Sequence, residues 1–403
     1  MTAVAAQDRT TVHYQLTPGT QLSRDPDTGL PVSTLANSKS FRLGADLGRL
    51  SDLVAEQPEP VSPADLLATL GSDWDADTLE RGLTALIEAG IVADGARIRE
   101  LEAAGVKPSR FAFRPPCSLQ WSLLDPSSLC RRLRRVAPLL TGKAGLVLSS
   151  LGAAFQAFAL TRAPLPAIST LELGEFVLVG LMLMVLVAIH EVAHGVALYA
   201  AGGQPRRMGF MLFYLTPAFF CDVSDSWRLG RKARIDVALA GVASQCQVGV
   251  VTALPLVAGL PASGAFVWLT VFNLASAAAN LFPLLKLDGY LALMAGVGVP
   301  NLRARAIEAW RGTLRRLVGL PVTPPPDDGE QLRWIPTFGA LSAATTPALV
   351  ATLAVMTVQA TTTASFATLC GVAVAVLAVW ATVRVAQTLL SIASTSKKRE
   401  TTS

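Results

Sequence analysis

What constrains this chain most is a set of six apolar stretches, approximately Ala144–Leu160, Phe176–Ala200, Ile235–Leu256, Ala265–Leu285, Phe338–Gln359 and Phe366–Val385. Each has about the 17 to 25 residues that a helix needs to cross a hydrocarbon layer roughly 30 Å thick. Inside lipid no water is available to hydrogen-bond a peptide group, so isolated apolar runs joined by polar loops must cross as α-helices, whose backbones are satisfied internally. The composition agrees, because 51% hydrophobic and 16% charged is too apolar for an ordinary soluble protein. Charge is also unevenly placed: residues 1–105 hold 8 Lys/Arg against 16 Asp/Glu (net −8), and residues 106–403 hold 26 against 13 (net +13). An acidic soluble part therefore precedes a basic membrane part. The expected fold class is a multi-pass α-helical membrane protein of about six transmembrane helices with a small N-terminal α+β, winged-helix-like cytosolic domain.

The loops sort by charge. Those at 201–234 and 286–337 carry Arg206, Arg207, Arg228, Arg231, Lys232, Arg234, Arg303, Arg305, Arg311, Arg315 and Arg316, whereas 161–175, 257–264 and 360–365 hold Arg162 alone. With Arg131, Arg132, Arg134 and Arg135 before the first run and Lys397, Lys398 and Arg399 at the end, the positive-inside rule predicts both termini in the cytosol. The N-terminus has no basic start followed by an apolar core, so no cleaved signal peptide is expected. Cys117, Cys130, Cys221, Cys246 and Cys370 show no C-x-x-C spacing and read as reduced, structural thiols.

The second apolar run contains V-L-V-A-I-H-E-V-A-H-G, with His190 and His194 four apart. On a helix that spacing puts two imidazoles on one face, the arrangement needed to grip one Zn²⁺, and Glu191 on the adjacent strip can take a proton from water and pass it to a leaving amine. Ionisable groups at membrane depth are costly and by default functional. A hydrolytic zinc site wants a third protein ligand and an open position. Asp288, in N-L-F-P-L-L-K-L-D-G-Y at the cytosolic end of the fourth run, is the candidate, with Pro283 and Gly289 expected to break helical continuity around it.

Three further stretches bear on architecture. Met208–Phe220 is apolar but too short to cross, and reads either as a re-entrant hairpin able to offer a strand edge to an unwound substrate or as an interfacial loop. Residues 106–125 read as an ordered linker near the membrane surface. Val299–Leu320 puts Leu302, Ala306, Trp310, Leu314 and Leu317 on one face, as in a helix lying on the membrane. The expected divisions are 1–105 for the recognition domain, 106–135 for linker and interfacial helix, 136–310 for the membrane core, 311–337 for a Pro-rich cytosolic linker, and 338–403 for two C-terminal spans and a basic tail.

In the N-terminal part, T-V-H-Y-Q-L, P-V-S-T-L and S-F-R-L predict a small antiparallel sheet with a turn at Asp25–Gly29. Helices are predicted over Ala45–Ala55, from Ser62-Pro63 through Leu70, and from a cap at Asp75 or Asp77 to Gly90. A net charge of −8 lacks the basic footprint that phosphate contacts require, so no nucleic-acid partner is expected.

H-E-V-A-H-G in one span and N-x-x-P-x-x-x-x-D-G (Asn280, Pro283, Asp288, Gly289) at the end of a later one resemble the paired signature of the site-2-protease intramembrane metalloproteases. Pro217–Leu229, Ala238–Gly241 and the stretch from D-G-Y-L-A-L through V-P-N-L-R-A-R-A resemble the peptide zinc metalloproteases of bacterial peptide-maturation clusters, and the likeness covers about residues 106–310. It implies His190, His194 and Asp288 as ligands of one Zn²⁺, Glu191 as general base and acid, Asn280 near the scissile carbonyl, and a bacterial plasma-membrane location. D-P-D-T-G-L-P-V-S-T-L and L-T-A-L-I-E-A-G-I-V resemble the small PqqD-like domains that hold the leader of a ribosomally made precursor peptide. The outer loops are too short for the PDZ domain of better-known members, so selectivity is expected from residues 1–105, binding a leader along the strands from Val32 to Leu43 while leaving the zinc site untouched. A leader-removing endopeptidase, of daptide type by analogy of fold, is the reading this favours. Release of a membrane-anchored regulator, or a non-enzymatic transporter or immunity protein on the same fold, are the alternatives.

Overall fold

The computed structural model describes residues 12–35, 40–57, 59–104, 111–114, 118–166, 170–213, 216–258, 264–319 and 334–361. The chain divides into two compact units, Met1–Leu281 with Leu291–Gly298, and Phe282–Tyr290 with Val299–Ser403.

The first unit opens with β1 (Tyr14–Leu16), β2 (Gln21–Arg24), β3 (Pro31–Thr34), β4 (Ser40–Arg42), α1 (Ala45–Glu56), α2 (Pro63–Leu70), α3 (Ala76–Glu88), β5 (Val92–Asp94) and α4 (Gly95–Ala104). The three helices start where the sequence puts them. Ser62 accepts from the Asp65 amide ahead of Pro63, and Asp75 accepts from the Thr78 amide, so each satisfies one orphan N–H of its helix. After α3, Gly90 turns the chain at φ 76°, a left-handed conformation that suits glycine. The strands form two sheets rather than one: β2-β3-β4 is antiparallel, while β1 pairs with β5 beyond the third helix. The sequence reading passed over β2, whose Q-L-S-R is polar at three of four positions. Leu50, Leu66, Leu86 and Ile91 are fully buried between these elements, each contributing about 2 kcal/mol of apolar burial.

Next come β6 (Phe111–Arg114), β7 (Ser118–Leu124), α5 (Ser127–Leu133), α6 (Ala137–Leu140), α7 (Gly142–Leu160), α8 (Leu173–Ala200), β8 (Met208–Phe213), β9 (Thr216–Cys221), α9 (Arg231–Val257) and α10 (Gly264–Leu281). The expected linker at 106–125 is corrected here: β6 and β7 are strands, and with the β8–β9 hairpin they make one antiparallel sheet in the order β6-β7-β8-β9. Met208–Phe213 and Thr216–Cys221 pair as antiparallel strands rather than running as an irregular loop.

Helices α7, α8, α9 and α10 are long and apolar enough to cross a membrane. Their burial separates their roles, since 61% of the most apolar window of α9 lies inside the protein against 22% for α7 and for α8. Thus α9 is the central rod. Outward faces of the others carry exposed Leu146, Leu151, Phe176 and Leu181, an apolar surface suited to lipid. A capping box between Glu172 and Glu175 starts α8, and a 3-10 turn at Ser224–Arg228 leads into α9. Inside the bundle, the Asn273 side-chain N–H groups donate to Gln156 Oε1 (2.9 Å) and to the Gln245 backbone carbonyl (3.0 Å), which ties three helices together.

The second unit contains the start of α11 (Asp288–Val297), then α12 (Leu302–Leu317) and α13 (Ile335–Thr361). Helical continuity breaks as expected: α10 ends at Leu281 and α11 starts at Asp288, with Gly289 already inside the new helix. Asn301, at φ 53°, turns the chain into α12. The apolar face expected on α12 is buried only at its start, where Leu302 and Ala306 are inaccessible and Gly339 of α13 packs on the Ala306 carbonyl; Leu317 is 76% exposed. The fifth apolar run lies within α13, whereas the sixth, the linker at Pro321–Asp328 and the basic tail lie outside the described residues.

Candidate metal centre

His190, Glu191 and His194 sit within α8, and His190 and His194 are 5% and 6% exposed. One ligand atom from each of the three lies within 4.8 Å of the others. The i, i+4 spacing brings the two rings to 4.7 Å, edge to face, with their Nε2 atoms 3.0 Å apart.

Outer partners set the state of those nitrogens. Nδ1 of His194 lies 2.7 Å from the carbonyl of Val237, which can only accept, so Nδ1 carries the proton and Nε2 presents its lone pair. Nδ1 of His190 lies 2.9 Å from Gln245 Oε1, and the Gln245 amide donates in turn to Ser276 Oγ at 3.2 Å, which gives His190 the same tautomer. Two lone pairs converge at 3.0 Å, and a proton or a cation between them relieves the repulsion. Tetrahedral zinc with bonds of about 2.0–2.1 Å holds two nitrogens about 3.3 Å apart. The donor set therefore fits a small cation bound by N and O ligands, with the Glu191 carboxylate adding negative charge.

The wall behind the nitrogens is Gly241 of α9. A Cβ there would stand 2.5 Å from both Nε2 atoms, so any side chain would fill the place where a cation fits. Val237, Gly241 and Gln245 are four apart and form one strip of α9 against the site. Sequence reasoning named none of them as site residues. The available signal was Gln245, an amide in the middle of a span, a placement as costly as that of the histidines unless it is bonded.

Glu191 is held from the sheet. Its Oε2 accepts the backbone N–H of Cys221 at 2.9 Å, which ties the last residue of β9 to the metal centre. That amide points away from β8, so the outer edge of β9 faces the site. Burial, followed by the nearby Glu191 charge, pushes the Cys221 thiol up, and burial raises that of Cys130 to about 11, so both stay protonated at neutral pH. Among the described residues Cys130, Cys221 and Cys246 are free thiols.

Asn280 lies near the end of α10 with its amide 3.4 Å from Gln245 Oε1, on the same acceptor that holds His190. Asp288 opens α11 and belongs to the second unit. A cavity of about 320 Å³ borders Cys221 and Val237, with Met211, Phe220 and Trp227 in its walls.

The N-terminal turn is also connected to this region. Arg234, in the first turn of α9, donates to Asp27 at 2.6 Å and to both oxygens of Asp25 at 3.4 and 3.5 Å, and Arg42 also pairs with Asp25. Asp27 Oδ2 accepts the Arg231 amide at 2.5 Å, capping α9. The N-terminal turn is thus joined to the start of the helix whose Gly241 walls the site. Asp25 is 1% exposed; burial pushes its carboxyl up, but the Asp27 amide and the Arg234 and Arg42 charges outweigh that and hold it below the ordinary value of 3.8.

No family model, curated protein or solved structure matches the chain.

Proposed function

We propose that this chain is an intramembrane zinc endopeptidase that hydrolyses a peptide bond at the cytosolic side of a bacterial plasma membrane, removing the leader from a ribosomally synthesised precursor. The observation that carries the reading is the convergence of two Nε2 lone pairs on a side-chain-free wall, beside a carboxylate fixed by a strand amide. His190 and His194 would supply two ligands of a Zn²⁺, and the sequence resemblance gives Asp288 as the third. The chemistry such an ion would supply when bound is Lewis-acid polarisation of the scissile carbonyl and a more acidic water.

Glu191 performs the proton work. As water adds to the carbonyl carbon, its proton passes to Glu191; as the C–N bond breaks, Glu191 returns that proton to the leaving nitrogen, giving an acid and an amine. The Cys221 N–H holds one oxygen of Glu191 and so fixes the carboxylate plane beside the histidines. An unwound substrate pairs with the outer edge of β9, a recognised mode of peptide binding. The leader is held on the N-terminal sheet. Within the expected Val32–Leu43 stretch, β3 already has β2 and β4 as neighbours, so the outer edge of β4 is the one that takes it.

Glu191→Gln tests the chemistry. The variant should keep its metal and lose peptide cleavage by about 10²–10⁴-fold, followed by mass spectrometry of precursor with and without chelator. Cleavage at the wild-type rate ends this mechanism.

A further inference from the structure

Helix α9 meets two different things along its length. Its first turn is gripped by the N-terminal domain, because Asp27 caps the helix at Arg231 and the buried Arg234 guanidinium forks onto Asp25 and Asp27. One turn later the Val237 carbonyl accepts from His194, and the next turn brings Gly241 against both Nε2 atoms. Helical spacing makes these neighbours successive contacts of one rigid element, and two turns of α-helix leave little slack between them. Arg234 is 6% exposed, with Trp227 beneath it at 5.7 Å. Without Asp25, the Arg234 side chain, 5% exposed, keeps only Asp27 of its two carboxylate partners and Arg42 loses its ion pair, and a buried charge short of a partner drives a rearrangement. Space for one exists, since the cavity beside Cys221 is bordered by both Arg234 and Val237.

From this we infer that Asp25 and Arg234 are positioning residues for the metal centre: the N-terminal turn sets the seat of α9, and through the Val237 carbonyl the orientation of His194. A peptide held on the same three-stranded sheet as Arg42 is thereby coupled to the state of the metal. By linkage the coupling is reciprocal, so metal and peptide change one another's affinity by the same factor. The inference rests on the metal reading above and adds to it a dependence on residues remote from the ligands in sequence.

The test uses the full chain in detergent with Co²⁺ as the probe, read by the visible absorption of the bound ion and therefore without any substrate. Arg234→Lys, which keeps the charge but loses the fork, and Asp25→Asn should each bind Co²⁺ about tenfold more weakly, in the range seen when outer partners of metal ligands are lost. At saturation their bands should also be displaced from wild type, a change in ligand geometry that a general loss of stability would not produce. Asp25→Glu should recover most of the affinity, while Asp52→Ala, which breaks the exposed pair with Arg24 in the same domain, should match wild type. If either Arg234→Lys or Asp25→Asn elutes as the wild type does and binds Co²⁺ with unchanged affinity and spectrum, the coupling is refuted. A wild-type chain that takes up no Co²⁺ sinks the metal reading itself, which keeps the two failures apart.

Discussion

At the scale of single residues, the metal centre divides into groups that present lone pairs and groups that aim them. Gln245 belongs to the second kind: its Oε1 accepts from His190 and so keeps the Nε2 of that ring aprotic. Gln245→Leu should therefore lower metal affinity about 10–100-fold, whereas Gln245→Glu, with a stronger acceptor, should hold it at or above wild type; isothermal titration with Zn²⁺ distinguishes the two. Gly241→Ala places a methyl carbon against both nitrogens and should abolish binding in the same titration, with the helix content unchanged. The His-Glu-x-x-His cluster was legible in the sequence because its chemistry and its helical period coincide in five residues. Gln245 was not, since its partner His190 is 55 positions away and no local pattern joins them. The Asn280 amide donates to the same Gln245 oxygen that holds His190, a contact between separate helices that no local pattern announces.

Among the elements, the long helices were readable to within about four residues at either end. Apolar length alone dictates them: Ala265–Leu285 as read became Gly264–Leu281, cut short where Pro283 ends the helix. Strand β7 escaped because its partner β8 lies more than 80 residues later, and β6, which pairs with β7 alone, because a short aromatic stretch between prolines has the composition of a connector. The clamp on α9 escaped for the same reason, joining Asp25 to Arg234 over 209 positions. It makes a pH prediction. Asp25 has a folded value below 3.8, so its contribution to stability is complete above that ordinary value and is lost as the pH falls through the depressed one. The melting temperature of the full chain should stay level down to about pH 4 and then fall. In Asp25→Asn that acid-side fall should be shallower, and an unchanged slope would remove Asp25 as its cause.

For the whole molecule, four helices among the described residues are long and apolar enough to cross a membrane, and the proposed topology adds two more with both termini in the cytosol. Cysteines introduced at Ser169 and Ser396 separate the possibilities: a membrane-impermeant maleimide should label the first from outside intact cells and leave the second unlabelled. Labelling at Ser396 would reverse the orientation, and with it the side on which a leader is met.

The rod that carries both the clamp and the wall of the metal centre also fixes a phase. A single residue inserted between Arg234 and Gly241 turns everything beyond it by about 100° and advances it about 1.5 Å, so the guanidinium and the side-chain-free wall can no longer face their partners together. Seven inserted residues bring the angle back to within about 20° but push the two ends apart by about 10 Å. Neither change is tolerable, and the interval between these two positions is therefore a ruler with one allowed setting. Anyone grafting a different N-terminal domain onto these helices must keep that interval and carry over an acidic pair two residues apart in the docking turn.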